Sequence, residues 1–176
     1  MSAQPTRPEP GPIVLIGAPG SGKSTIGALL AERLGVEFVD VDAVIEQRTG
    51  KSIAEIFAED GEPAFRELEE ATTAELLSHP GVLSLGGGAV LSERTRKALH
   101  DHRVVWLRVT AASAISRVGL DTARPLLMGN VRGRLIKLLS ERAPLYDEVA
   151  SVRIDTDNTA PAEVVDFIVR TWPSPE

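Results

Sequence analysis

Short β-branched apolar runs alternate with longer stretches of helical periodicity along this chain, and that rhythm sets the first expectation. The runs fall at 13–16, 36–39, 82–85, 104–109 and 152–154. Helical stretches are predicted at 23–34, 41–49, 52–57, 62–77, 93–99, 111–117, 131–141 and 161–171. Ser52 followed by Glu55 fits a capping box, and Pro161 suits the first position of a helix. Strands separated by helices imply parallel pairing through right-handed crossovers. The expected fold is therefore α/β, a doubly wound parallel sheet of about five strands.

Two stretches exceed what such a scaffold needs. Residues 45–77 are mostly helical, and 119–133 mix Gly, Arg, Pro and Met between two helices. Ligands of open α/β sheets bind beyond the strand C-termini, where insertions collect. The first stretch, about 41–77, reads as a helical substrate-binding insertion, and the second, about 118–130, as a mobile lid. Residues 1–12 read as a flexible leader and 173–176 as a tail, which leaves 13–172 as a single domain.

Composition narrows the chemistry. The chain has 176 residues and is 43% hydrophobic, enough for one core filled mainly by aliphatic side chains. Its formal net charge of −6 argues against a general role on nucleic acid or anionic membranes. No cysteine occurs, so disulfides, thiolate catalysis and cysteine-based metal sites are excluded. The first twelve residues lack the apolar core of a signal peptide, and no run reaches the length of a membrane span. A cytoplasmic monomer is expected.

The strongest motif is Gly17-Ala18-Pro19-Gly20-Ser21-Gly22-Lys23-Ser24, which matches G-x-x-x-x-G-K-[ST] in full. An apolar run feeds it and a helical stretch leaves it, as a phosphate loop requires. Such glycines let successive N–H groups converge on phosphate oxygens, and the helix N-terminus adds its positive dipole end. Gly20, Ser21, Gly22, Lys23, Ser24 and Thr25 are the candidate nucleotide-binding residues. Lys23 is expected to neutralise the β- and γ-phosphates of a nucleoside triphosphate, and the Ser24 hydroxyl to ligate Mg²⁺.

The run at 36–39 ends in Asp40-Val41-Asp42. Strand alternation would point both aspartates the same way, one to serve the metal and one to meet a substrate hydroxyl. The alternative is a pair of solvated loop or capping residues. The run at 82–85 ends in Gly86-Gly87-Gly88 with no acid, unlike motor ATPases and transporters, and no Asn-Lys-x-Asp guanine-reading motif occurs. Three glycines at a strand end suggest a backbone that a small ligand approaches closely.

Arg66, Arg124 and Arg142 are each unremarkable alone, because exposed arginines usually serve surface ion pairs. Together with the phosphate loop and the lid-like stretch they suggest anion clamps. Here the chain resembles the shikimate kinase family, of nucleoside-monophosphate-kinase fold. The likeness runs from about residue 13 to 172. It rests on residues 17–25, Asp40-Val41-Asp42, Ile56-Phe57, Phe65-Arg66-x-x-Glu69, Gly86-Gly87-Gly88, Arg124-Pro125-Leu126 and Arg142-Ala143-Pro144-Leu145-Tyr146.

The resemblance implies that Asp40 supports Mg²⁺ and that Asp42 binds, and can deprotonate, the reacting hydroxyl. It implies that Arg66 and Arg142 hold the substrate carboxylate, that Gly86, Gly87 and Gly88 close on the ring, and that Phe57 and Phe65 wall the pocket. Arg124 is implied to reach the transferring phosphoryl group, while Arg117 and Pro161 flank adenine. The loop at 155–161 departs from the basic loop of many relatives. The implied reaction is transfer of the ATP γ-phosphoryl group to the 3-hydroxyl of shikimate. Rival readings are a nucleoside-monophosphate kinase, although the Asp-Gly-x-Pro-Arg stretch of adenylate kinases is missing, a gluconate kinase, and a non-catalytic nucleotide sensor.

Overall fold

A computed structural model describes residues 11–119 and 128–173. Its order is β1 (Ile13–Ile16), α1 (Lys23–Leu34), β2 (Phe38–Asp40), α2 (Val41–Thr49), α3 (Ile53–Asp60), α4 (Glu62–Leu76), β3 (Val82–Ser84), a 3₁₀ turn (Ala89–Leu91), α5 (Glu93–Leu99), β4 (Arg103–Arg108), α6 (Ala111–Gly119), α7 (Met128–Val149), β5 (Val152–Asp155) and α8 (Pro161–Thr171). The five strands form one sheet, ordered β2-β3-β1-β4-β5, with every pairing parallel. The order turns around at β1, so a crevice opens beyond its C-terminal end, where the phosphate loop lies.

All four residues of β1 are buried, as a strand covered on both faces demands. Period-two alternation sorts them. Val14 and Ile16 join Val41, Ile56, Phe65 and Tyr146 in one apolar cluster, under α2, α3, α4 and α7. Ile13 and Leu15 join Leu30, Val164 and Ile168 in the other, under α1 and α8. The first layer carries the acceptor-side elements and the second braces the phosphate loop from behind.

Several boundaries differ from expectation for identifiable reasons. Val36 was expected to open a strand, but its N–H bonds back to the Ala31 carbonyl while Gly35 takes φ 66°, the closing motif of α1, so β2 starts at Phe38. A helix at 131–141 was expected to stop before Pro144, yet α7 runs through it to Val149. Proline removes one helical hydrogen bond, but the turn beyond it buries Tyr146 and Val149 in the core, and that packing prevails. The Ser52–Glu55 capping box forms, and Pro161 opens α8. Among the described residues no helix is long and apolar enough to cross a membrane. The expected leader, apart from its last two residues, the core of the expected lid at 120–127, and residues 174–176 lie outside the described residues.

Candidate active site

The phosphate loop is shaped by its glycines. A Cβ on Gly17 would stand 2.6 Å from the Leu107 carbonyl oxygen and 2.7 Å from Ser21 Oγ, so only glycine fits. Gly20 and Gly22 take φ 79° and 94°, the left-handed region that glycine adopts without steric cost. Gly22 caps α1 without any side-chain hydrogen bond, leaving the first N–H groups of that helix for a ligand. Lys23 Nζ folds back onto the loop, donating to the carbonyls of Gly17 at 2.6 Å and Ala18 at 3.1 Å. Burial lowers its pKa to about 8, against the opposing pull of Asp40 and Asp42. A cavity of about 390 Å³ spans Gly20, Ser21, Gly22, Lys23, Ser24 and Thr25 and reaches Asp40, Asp42, Gly86 and Gly87.

Both aspartates reach this cavity, but not through strand alternation. Asp40 ends β2 and caps α2, its Oδ1 accepting from the Ala43 N–H at 3.2 Å, and Asp42 sits in the first helical turn. The chain turns from strand to helix between them, so the extended strand end aims Asp40 and the first helical turn aims Asp42. Asp42 Oδ1 is buried without a protein partner. Burial raises the Asp42 pKa above the usual carboxylate value, Asp40 adding to the effect and Lys23 opposing it.

Gly86, Gly87 and Gly88 have a different reason to be glycines from those of the phosphate loop. None takes a positive φ. What they lack is room. A Cβ on Gly86 would lie 2.9 Å from Asp42 Oδ1 and 3.0 Å from Glu69 Oε2; on Gly87, 3.3 Å from Arg142 Nη1; on Gly88, it would overlap the Arg66 guanidinium. Two carboxylates and two guanidiniums therefore close on three consecutive residues of bare backbone.

The arginine on α4 is held in place. Arg66 Nη1 donates to Glu69 Oε1 at 2.8 Å, Glu62 accepts at 3.3 Å, and the guanidinium carbon lies 5.3 Å from the Phe65 ring centroid and 5.9 Å from that of Phe57. The two rings pack on each other at 4.9 Å, with Phe65 buried and Phe57 at the surface. Burial pushes the Glu69 carboxyl up and Arg66 opposes it. On α7, one turn after Arg142, the buried Tyr146 donates its hydroxyl to the Gly87 carbonyl at 2.5 Å.

Sequence reasoning gave neither Glu69 nor Tyr146 a role. The available signal was spacing, since they follow Arg66 and Arg142 by three and four residues on one helix face. Arg117 lies at the opposite end of the crevice. It donates to the Gly20 carbonyl at 2.9 Å and to the Thr156 carbonyl at 3.0 Å, bridging the phosphate loop to the β5–α8 loop that Pro161 closes. Arg124 lies outside the described residues.

The family model described as Shikimate kinase matches residues 19–173. A shikimate kinase of Thermobifida fusca is 56% identical over 162 residues, covering 92% of this chain and 94% of the relative. One of Mycobacterium avium is 55% identical over 163 residues, covering 92% and 93%. Among solved structures, shikimate kinase from Acinetobacter baumannii in complex with shikimate superposes with a TM-score of 0.85 at 38% identity, covering 93% of each chain.

Proposed function

The chain belongs to the shikimate kinase family, and from that premise we propose how its site phosphorylates shikimate with ATP, giving shikimate 3-phosphate and ADP. The observation that carries the proposal is the glycine run: Asp42, Arg142 and Arg66 close on Gly86, Gly87 and Gly88 in turn, beside a cavity shared with the phosphate loop.

ATP lays its phosphates on the N–H groups of residues 20–25, and Lys23 exchanges the Gly17 and Ala18 carbonyls for β- and γ-phosphate oxygens. Arg117 and Pro161 flank the base. Ser24 and Asp40 offer hydroxyl and carboxylate oxygens on the cavity, the donor type Mg²⁺ takes, and among the described residues no cluster of three or more His, Cys, Asp or Glu side chains forms. That fits an ion held by one or two protein oxygens, with phosphates and water completing the shell. When bound, Mg²⁺ supplies charge neutralisation on the phosphates.

Shikimate rests against Gly86, Gly87 and Gly88, its carboxylate between Arg66 and Arg142, with Phe57 and Phe65 behind. Planar guanidinium forks suit a carboxylate because they grip both of its oxygens. The unpartnered Asp42 Oδ1 accepts the 3-hydroxyl proton as that oxygen bonds to the γ-phosphorus. The bond from phosphorus to the β–γ bridging oxygen breaks, and ADP leaves with its electron pair. Lys23, with Arg124 from the lid, stabilises the phosphoryl group in flight. The enzyme acts as a cytoplasmic monomer without nucleic-acid or membrane partners.

A coupled ADP assay against shikimate, gluconate, AMP and UMP tests the reading. ADP release should depend on shikimate, and Arg66→Ala and Arg142→Ala should each weaken shikimate at least about tenfold. Shikimate methyl ester should bind poorly. Turnover with gluconate or a nucleotide in place of shikimate, or full activity on the ester, overturns it.

A further inference from the structure

Helix α7 carries Arg142 but also grips the glycine run directly. The Tyr146 hydroxyl donates to the Gly87 carbonyl at 2.5 Å, and Arg142 Nη1 comes against the α-carbon side of the same residue. The phenol ring is 2% exposed and packs at 5.6 Å against Trp106 of β4, so its hydroxyl has little freedom to look elsewhere. Burial pushes the phenol pKa above its ordinary value, Arg142 opposing, and the group therefore stays a donor throughout the working range. The far end of the segment is fastened separately. Arg96 donates to the Val90 carbonyl at 2.7 Å and pairs with Glu148 of α7 at 2.7 Å. Ala89 and Leu91 N–H groups hold the Gly86 and Gly88 carbonyls, so losing the Tyr146 hydroxyl would release the Gly87 carbonyl alone.

We propose that the Tyr146 hydroxyl is a positioning group for acceptor binding: it fixes the gap between the Gly87 backbone and the Arg142 guanidinium, and so sets the width of the carboxylate-holding end of the pocket. The inference rests on the reading of Arg142 as a carboxylate ligand. Tyr146 itself need not touch substrate.

Tyr146→Phe keeps the ring and its contact with Trp106, and tests the hydroxyl. In the full chain, the KM for shikimate should rise about three- to tenfold, the worth of one buried hydrogen bond. The KM for ATP and the kcat should stay within about twofold. Ile168→Val, in the apolar layer on the other face of the sheet, serves as the stability comparator. It should lower Tm without moving the KM for shikimate. In an Arg142→Ala background the Tyr146→Phe effect on shikimate should shrink below about twofold, because the hydroxyl acts through that arginine.

An unchanged KM for shikimate in Tyr146→Phe overturns the inference. So does an equal rise in the KM for ATP, an effect reproduced by Ile168→Val, or simple additivity with Arg142→Ala. Weakened shikimate binding in Arg142→Ala alone keeps the carboxylate reading whichever way Tyr146→Phe falls. Unchanged binding in Arg142→Ala overturns both.

Discussion

The two halves of the site use glycine for opposite purposes. In the phosphate loop, Gly20 and Gly22 adopt positive φ values and bend one unbroken stretch of chain between β1 and α1. In the acceptor half, Gly86, Gly87 and Gly88 have no positive φ, and a Cβ there would instead crowd Asp42 and Glu69 at Gly86, Pro19 and Arg142 at Gly87, and Arg66 at Gly88. The first half is a local shape. The second is a meeting point of α2, α4, α7 and the segment after β3, and exists only when the core is packed. Damage to the first should stop phosphoryl transfer altogether, whereas damage to the second should separate into rate and affinity.

The sharpest way to break this contrast is Lys23→Ala. The substitution should cut shikimate-dependent ADP formation by at least about 10³-fold, beyond the loss of a single charge-stabilising donor, while circular dichroism stays native. A folded variant with ordinary turnover would end the assignment of the loop. Asp42→Asn comes next, with kcat falling about 10²–10⁴-fold if the carboxylate takes the hydroxyl proton. If KM moves while kcat holds, Asp42 only positions the acceptor.

Two alanine substitutions then divide the acceptor half. Gly88→Ala displaces Arg66, and should raise the KM for shikimate about tenfold with a smaller change in kcat. Gly86→Ala pushes on Asp42 and Glu69, and should lower kcat more than it raises KM. Steady-state kinetics on both decides the matter, and matching profiles would show the run to be a single hinge rather than three separate contacts.

The smallest effect concerns Glu69. Its folded pKa lies above the unfolded value of 4.5, so the folded state binds the proton more tightly. The stability this provides is complete below the unfolded value and is lost as pH rises through the folded one. Glu69→Gln should therefore gain Tm relative to wild type between acid and neutral pH, while weakening shikimate because Arg66 loses its buried partner. Melting curves across that pH range check the sign. A Tm gap that narrows toward neutral pH would contradict it.

The same contrast explains what the sequence made legible. The phosphate loop could be read because its geometry is written in adjacent residues, and the parallel sheet because β-branched runs recur between helices. The order β2-β3-β1-β4-β5 could not, since strand neighbours are chosen by packing that no local pattern records. The two aspartates were expected on one side of a strand and reach one cavity from a strand end and a helical turn instead. A helical stretch was expected at 131–141 only, but α7 continues through Pro144, where the buried ring of Tyr146 one half-turn later outweighs the lost hydrogen bond. Glu69 and Tyr146 went unassigned because their partners, Arg66 and Gly87, acquire meaning only where the elements meet.

Without nucleotide, Lys23 does not stand waiting as a bare charge, because the carbonyls of Gly17 and Ala18 already hold its ammonium. With Lys23 as the proposed phosphate ligand, the affinity it contributes is a difference between two sets of partners rather than the full worth of an ammonium–phosphate contact. The same exchange runs backwards after transfer. As ADP departs, the amine has oxygen atoms within the loop to return to, so product can leave without stranding a buried cation. A lysine with its own resting place favours rapid cycling over tight retention, which is what a catalyst that must empty its donor site on every turn requires.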